Sequence, residues 1–173
     1  FLPLVGAGKH GPEARLVAAG DRDLTLRGHR IERYGKQVIE VTGEVEGGGA
    51  AVVTAGLAPP AQVPLGHQRL RGEIVDSKCW FGVMKPGQGK AHKDCAVRCI
   101  SGGAPPAFVV RAAGPRGDER TLILLLVAAD GRSIAARILD LVAEPVEIEG
   151  EVSRLGDQLV LSTDPASIRR IDG

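Results

Sequence analysis

Cysteine and histidine are the residues of this chain whose types and spacing could do chemistry, and they are gathered in one short stretch. All three cysteines, Cys79, Cys95 and Cys99, lie within residues 72–108, together with His92. Thiolates and imidazoles are the ligands that zinc and related transition metals prefer in proteins. The stretch therefore predicts either a metal site or a place of thiol chemistry.

A helix is predicted over about residues 90–100. Good helix formers fill this range, and Gly102, Gly103 and two prolines follow it, which is typical of a helix C-terminus. The predicted helix carries one histidine and two of the cysteines.

The three side chains on this helix share one face. His92, Cys95 and Cys99 stand at positions i, i+3 and i+7, so at roughly 100° per residue they point within about 60° of one another. Cys79 precedes Cys95 by 16 positions, at the end of a predicted strand. The intervening loop can fold Cys79 back over the helix face.

Three interpretations of these residues stay open. A Cys3His set of Cys79, His92, Cys95 and Cys99 would bind one metal ion, zinc or iron in preference to copper. Alternatively Cys79 pairs with one helix cysteine in a disulfide, no metal is bound, and the third thiol is free. The third reading is three buried thiols. Five cations of the segment would lower a thiol pKa and favour a reactive thiol: Lys78, Lys85, Lys90, Lys93 and Arg98.

Neighbouring residues could complete the site. Asp76 and Asp94 could accept a hydrogen bond from the imidazole, or they are a turn residue at a strand end and an exposed helix residue. Trp80 and Phe81 are expected to cover the site or the barrel mouth. Met84 would cover it too, as a gap filler or as a soft ligand if the metal were copper.

The chain divides into three predicted parts. Residues 1–20 are predicted to be an arm or linker. Residues 21–66 are predicted to be a β-hairpin subdomain with its turn at 34–36, followed by a linker that contains one short strand at 51–54. Residues 67–173 are predicted to form the main domain.

The predicted fold class of the main domain is mainly β. The order strand, strand, strand, helix, strand, strand from Leu70 to Leu161 is that of an OB-like five-stranded barrel. One α-helix, from Ser133 to Val142, is predicted between strands 3 and 4. The Cys/His helix and loop form an insertion after strand 1, the apolar run 122–127 is predicted to be a central buried strand, and extra strands precede the barrel.

Composition argues against several classes of function. Aromatic residues make up 3% of the chain, which argues against binding of nucleic acid by base stacking. No apolar run of about 18 residues predicts a transmembrane segment. No phosphate loop or catalytic triad is found, which favours a binding module over an enzyme. Because the chain starts FLPLVG without Met, we expect that a leader, an anchor or a tag-bearing piece has been removed.

The segment also resembles a known group of proteins. Gly72 to Asp76, Cys79, the pattern HxxCAxxC from His92 to Cys99, and the pattern GGxP from Gly102 to Pro105 are similar to a motif of small, largely uncharacterised bacterial OB-like proteins. These proteins are usually exported or membrane-tethered. The resemblance covers about 37 residues strongly, excludes 1–66, and implies a Cys/His site without implying a reaction.

The expected function follows from these features. We expect a non-enzymatic, exported, periplasmic or membrane-tethered module with one metal in a Cys3His site. It would dock to protein partners as an accessory subunit of a larger assembly, such as an electron-transfer complex. The alternatives are a disulfide-stabilised thiol-redox or binding protein with one free cysteine, and an OB-fold domain that binds another ligand.

Overall fold

The protein is mainly β, and a computed structural model describes residues 2–18, 24–44, 60–114, 116–130 and 132–172. Within these ranges the strands form two sheets, one of three strands and one of six. The smaller sheet comes from the N-terminal part of the chain. The predictions of a mainly β chain and of extra N-terminal strands are therefore confirmed.

The N-terminal sheet is built on the predicted hairpin. Strands β2 (Leu26–Arg33) and β3 (Lys36–Glu44) are antiparallel, and Tyr34 and Gly35 between them both have positive φ. Two such residues are typical of the type I′ turn, whose twist suits a hairpin. Strand β1 (Leu4–Val5) is parallel to β3, so the predicted arm contributes a strand to this sheet. A short helix, α1 (Ala14–Ala18), follows.

Much of the predicted linker, including the short strand at 51–54, lies outside the described residues. The next strand begins at Gln62, several residues before the predicted end of the linker near Gly66. The division of the chain into 1–20, 21–66 and 67–173 stays a prediction.

The larger sheet closes into a ring of five strands. The six strands are β4 (Gln62–Asp76), β5 (Pro106–Ala113), β6 (Glu119–Ala128), β7 (Pro145–Leu155), β8 (Gln158–Thr163) and β9 (Arg169–Arg170). Strand β4 pairs with both β5 and β7, and the remaining order is β5, β6, β8, β7. Strands β6 and β8 are parallel, and the other neighbours in the ring are antiparallel. The short strand β9 pairs with the first residues of β7.

Strand β4 closes the ring because it bends from one partner to the other. Its first part pairs with β7, and only its last residues, Glu73 to Asp76, pair with β5. Gly72 lies at this change of partner, where a Cβ atom would be 2.1 Å from the carbonyl oxygen of Val109. Only glycine admits such a close approach of two backbones.

An α-helix lies between β4 and β5, in the stretch that contains the cysteines. Helix α2 (Lys93–Ser101) follows a 3-10 turn over Lys90–His92. It ends where the sequence predicts: Gly102 donates its N–H to the carbonyl of Arg98, and Gly103 has a φ of 98°. The stop signal of two glycines is confirmed.

The prediction of an α-helix between β6 and β7 is wrong. Two 3-10 turns, Ala135–Arg137 and Leu139–Leu141, take its place. Three apolar residues of this segment, Ile134, Ile138 and Val142, are nevertheless fully buried. Val142 bridges Ile74 on β4, and this docking prevails over the weak helix propensity of the β-branched residues.

The core has two large clusters of buried apolar residues. The first fills the ring and includes side chains from α2, the ring strands and the two 3-10 turns, among them Ile74, Ile100, Phe108, Leu124, Ile134 and Ile148. The second lies between the N-terminal sheet and the ring, and it contains Val5, Val38, Val75, Trp80, Phe81, Ala107, Val109 and Ile123. The predicted central strand β6 contributes to both clusters.

The described helices are short. None of them combines the length and the apolar character that a helix needs to cross a lipid bilayer.

Candidate metal centre

The site begins where β4 ends. Asp76 is the last residue of β4, and its Oδ1 accepts a hydrogen bond of 2.8 Å from the backbone N–H of Cys79. An aspartate that accepts from an amide a few residues later stabilises a turn. This turn directs the buried Cys79 side chain toward α2.

Helix α2 and the turn before it supply the other three candidate ligands. His92 ends the 3-10 turn, and Cys95 and Cys99 follow on α2. His92 and Cys99 are buried, and Cys95 is partly exposed. The cysteines form a third cluster that includes Ala104, beside the loop that leaves the helix. The predicted face of the helix therefore turns away from solvent.

The structure brings three of the four predicted ligands into one group, and Cys99 belongs to a second group that shares only Cys79 with the first. Ligand atoms of Cys79, His92 and Cys95 lie within 4.8 Å of one another, and the same holds for Asp76, Cys79 and Cys99. The Sγ atoms of Cys79 and Cys95 are 4.0 Å apart. Two thiolates on a tetrahedral zinc are about 3.8 Å apart, given zinc–sulfur bonds of about 2.3 Å. The spacing of this pair suits one shared metal ion.

Asp76 also orients the candidate histidine ligand. Its Oδ2 lies 3.2 Å from Nε2 of His92, and both side chains are buried. A proton on Nε2 satisfies this carboxylate and leaves the lone pair of Nδ1 free to bind a metal. Metal-binding histidines commonly donate their second N–H to a carboxylate in this way. One buried carboxylate thus positions both Cys79 and His92.

The other predicted neighbours lie in different places. Asp94 is exposed on α2, and no contact described here joins it to His92. Met84 is 45% exposed, and its Sδ is 3.5 Å from Sγ of Cys95. Trp80 and Phe81 are buried between the two sheets and do not belong to the cysteine cluster. Their rings pack edge to face, with 5.2 Å between the ring centroids.

The electrostatic setting differs from the one predicted from the cations. Burial, reinforced by the charge of Asp76, holds the pKa of the Cys79 thiol well above its ordinary value. The same causes, in the same order, raise the pKa of Cys99 to about 11. The prediction that nearby cations lower the thiol pKa is therefore wrong for Cys79 and Cys99.

The predicted cations are directed elsewhere. Lys78 pairs with Glu40 at 2.6 Å, and Lys93 pairs with Glu144. Lys85, Lys90 and Arg98 are exposed to solvent. Their charge is therefore largely screened from the thiols.

One cation does reach the site, and no sequence pattern predicts it. Nζ of Lys9 lies 2.7 Å from Sγ of Cys95, and this contact raises the pKa of Lys9. The two residues are 86 positions apart. Because Lys9 lies in a glycine-rich stretch without periodicity, no local pattern identifies it.

The three cysteines are free thiols. The Cys79–Cys95 separation of 4.0 Å is about twice the length of a disulfide bond. The structure therefore contains a Cys/His cluster that could hold a metal ion, and it contains no disulfide.

Comparison with known proteins adds no assignment. No protein-family model matches the chain, and neither a curated protein nor a solved structure shows significant similarity to it. The function is therefore inferred from the geometry of the site.

Proposed function

We propose that the chain is a non-enzymatic metal-binding module that holds one metal ion through Cys79, His92, Cys95 and Cys99. The observation that carries this proposal is the position of Cys79. Its Sγ belongs to both groups of ligand atoms that lie within 4.8 Å of one another, one with His92 and Cys95 and the other with Cys99. The proposed ion is bound by Cys79, His92 and Cys95, and Cys99, whose ligand atom shares a group with Cys79 but not with His92 and Cys95, is the proposed fourth ligand.

The donor types favour zinc or ferrous iron over copper. Three thiolates and one imidazole make a closed tetrahedral set, which is typical of structural zinc and leaves no position for a substrate. The soft thioether of Met84 would favour copper, but Met84 is an exposed residue at the edge of the site. A closed site of this kind stabilises a fold rather than performing catalysis.

We further propose that the five-stranded ring is an OB-type barrel. The ring order and the parallel pairing of β6 with β8 support this assignment. The candidate ligands lie in the connection from β4 to β5, and a bound metal would fix that connection to the ring. A shared fold does not imply a shared function, so the barrel supports the placement of the site and not its role.

The location and the partners of the module are proposals that rest on the resemblance of residues 72–108. We propose an exported or membrane-tethered protein that docks to a larger assembly, with electron transfer as one function of such an assembly. Fractionation of the cells that make the protein tests the location. Cross-linking followed by mass spectrometry in the same fractions tests the partners.

The metal site is tested by native mass spectrometry of protein purified without reductant or chelator. We expect a mass increase of one metal ion. Replacement of zinc by cobalt should give sulfur-to-metal charge-transfer bands, because these bands require thiolate ligands. Cys95→Ser and His92→Ala should each lose metal and lower the free energy of unfolding, because metal binding and folding are coupled. The exposed His67 offers a matched control, and His67→Ala should leave the metal content unchanged.

Two results would contradict the four-ligand site. One is wild-type protein that binds no zinc or iron after reconstitution from the reduced, metal-free form. The other is His92→Ala with full metal occupancy and unchanged cobalt spectra, since an imidazole ligand cannot be removed without altering the coordination sphere.

A second candidate function is a dithiol, favoured by the proximity of Cys79 and Cys95. Their Sγ atoms, 4.0 Å apart, could form a disulfide after a small movement, releasing two protons and passing two electrons to a partner disulfide. The native mass decides between the candidates: a loss of two hydrogens without metal indicates the disulfide. The leftover Cys99 should then be the thiol that alkylating reagents modify in the unfolded, unreduced protein.

A further inference from the structure

A short N-terminal segment is fixed across the candidate metal site. We call residues 6–11 the strap. The ammonium group of Lys78, itself 2% exposed, donates to the carbonyls of Gly6 and Gly8 at 2.8 and 2.7 Å. At the end of the strap, Gly11 donates its N–H to the carbonyl of Gly102, just after helix α2. The strap is thus held at both ends.

The strap lies very close to the loop that ends α2. A Cβ atom at Gly102 would be 1.9 Å from the carbonyl oxygen of Lys9, and one at Gly11 would be 2.3 Å from the carbonyl oxygen of Gly103. Real Cβ atoms do not approach backbone oxygens so closely, so any side chain at Gly102 would push the strap away. The two glycines that end the helix therefore also admit the strap.

This docking brings the ammonium group of Lys9 to Cys95, at 2.7 Å from Sγ. Among the residues that the structure describes, no other lysine or arginine is hydrogen-bonded to a cysteine. Lys78, the nearest alternative along the chain, is already occupied by Glu40 and by the strap carbonyls. Lys9 is thus the cation that the fold places at the thiols.

The charge of the proposed site gives this cation a role. A dication bound by three thiolates and one neutral imidazole has a net charge of −1, and the buried carboxylate of Asp76 adds a second negative charge. Uncompensated charge is costly in a site that is shielded from water. A hydrogen bond from an ammonium group to a thiolate offsets part of this charge and is stronger than a neutral one.

We propose that Lys9 is a positioning residue of the metal site: the strap carries its ammonium group to Sγ of Cys95, where it offsets the negative charge of the proposed site and strengthens the binding of a divalent metal. This inference rests on the proposed metal site. It extends that site beyond its four ligands to a residue of the N-terminal strap.

The test compares the affinity for zinc, measured by competition with a chromophoric chelator, in the full chain and in three variants. Lys9→Met should weaken binding by about 10-fold or more, within the range for partners that hydrogen-bond to metal ligands. Lys9→Arg should restore most of the affinity. Gly102→Ala, which undocks the strap without touching a ligand or a charge, should weaken binding in the same direction.

Two further measurements separate a contact at the sulfur from a general effect. Lys90→Met removes the same charge from an exposed side chain near the site, and it should leave the affinity nearly unchanged. In the cobalt-loaded protein, Lys9→Met should move the sulfur-to-cobalt band to lower energy, because a thiolate without its hydrogen bond gives up an electron more easily. A purely structural role for Lys9 would not move this band.

The outcomes distinguish this inference from the site on which it rests. If wild-type protein binds no metal, the proposed function and this inference fail together. If the wild type binds zinc and Lys9→Met binds it equally well with an unshifted cobalt band, only the inference is overturned. It is also overturned if Lys90→Met weakens binding as much as Lys9→Met, since the effect would then be a long-range one. Should Gly102→Ala not fold, the Lys9 variants still decide.

Discussion

Replacing Asp76 by asparagine should weaken metal binding while keeping the fold. The carboxylate accepts from the amide of Cys79 at 2.8 Å through one oxygen and contacts Nε2 of His92 at 3.2 Å through the other. Asparagine has one accepting oxygen and one donating NH2 group. When the proton of His92 is on Nε2, as metal binding through Nδ1 requires, one of the two contacts becomes a clash of two donors whichever way the amide is turned.

The size of the effect follows from the burial of this contact. Asp76 is fully buried, so water cannot replace the lost acceptor. Loss of a carboxylate that orients a metal-binding histidine costs about 10- to 100-fold in metal affinity, which corresponds to about 1.4–2.7 kcal/mol. This agrees with the contribution of about 1.5–3 kcal/mol expected of one hydrogen bond to a charged group.

The assay is chelator competition for zinc, with urea unfolding of the metal-free protein measured in parallel. Asp94→Asn is the matched control, because it makes the same chemical change at an exposed position of α2. Asp76→Asn should fold cooperatively and bind zinc more weakly, and Asp94→Asn should resemble the wild type. Zinc affinity of Asp76→Asn within about threefold of the wild type would refute the proposed orientation of His92, since that difference is below 1 kcal/mol.

Three further predictions concern the scaffold of the site. Gly72→Ala should lower the free energy of unfolding by about 1–3 kcal/mol in urea, because its Cβ would meet a backbone carbonyl. Gly43→Ala, where a Cβ has open space, should change it little. The hydrogen bond from Lys78 lowers the pKa of Glu40. The contribution of Glu40 to stability is therefore present above the ordinary glutamate pKa and is lost as the pH falls through the lower pKa of the folded state. Urea unfolding at decreasing pH should show this loss in the wild type, and Glu40→Gln should remove it. Ile138→Ala, in the main core, should cost about 2–5 kcal/mol by the same assay.

The sequence predicts the parts of the fold that local signals determine. The hairpin turn contains Gly35 and the helix stop contains Gly103, two glycines at positive φ, and such glycines are visible in the sequence. The buried side of α2 that carries Cys95 and Cys99 follows from helical periodicity, whereas His92 lies in the 3-10 turn that precedes the helix. These features need no knowledge of the rest of the chain.

Features that depend on contacts between distant segments were predicted wrongly or missed. The segment from Ile134 to Val142 has helical spacing, but its docking on β4 decides its conformation. Trp80, predicted to cover the site or the barrel mouth, packs its ring between the two sheets, with the guanidinium carbon of Arg33 4.6 Å from the ring centroid. Lys9 reaches Cys95, 86 positions away, only because the strap packs against Gly102 and Gly103.

The turn from Asp76 to Cys79 links the candidate metal ligands to the strap that carries Lys9. Lys78 follows Asp76 and precedes Cys79, so the same few residues that position a ligand also anchor the strap through Gly6 and Gly8. A metal bound by Cys79 would fix this turn. The fixed turn would in turn hold the strap, which brings Lys9 to Cys95. Metal binding should therefore order the strap, and protection of the strap amides from hydrogen exchange should increase when zinc is added. Equal protection with and without zinc would mean that the strap docks independently of the metal, and that its lysine is held in place before the metal binds.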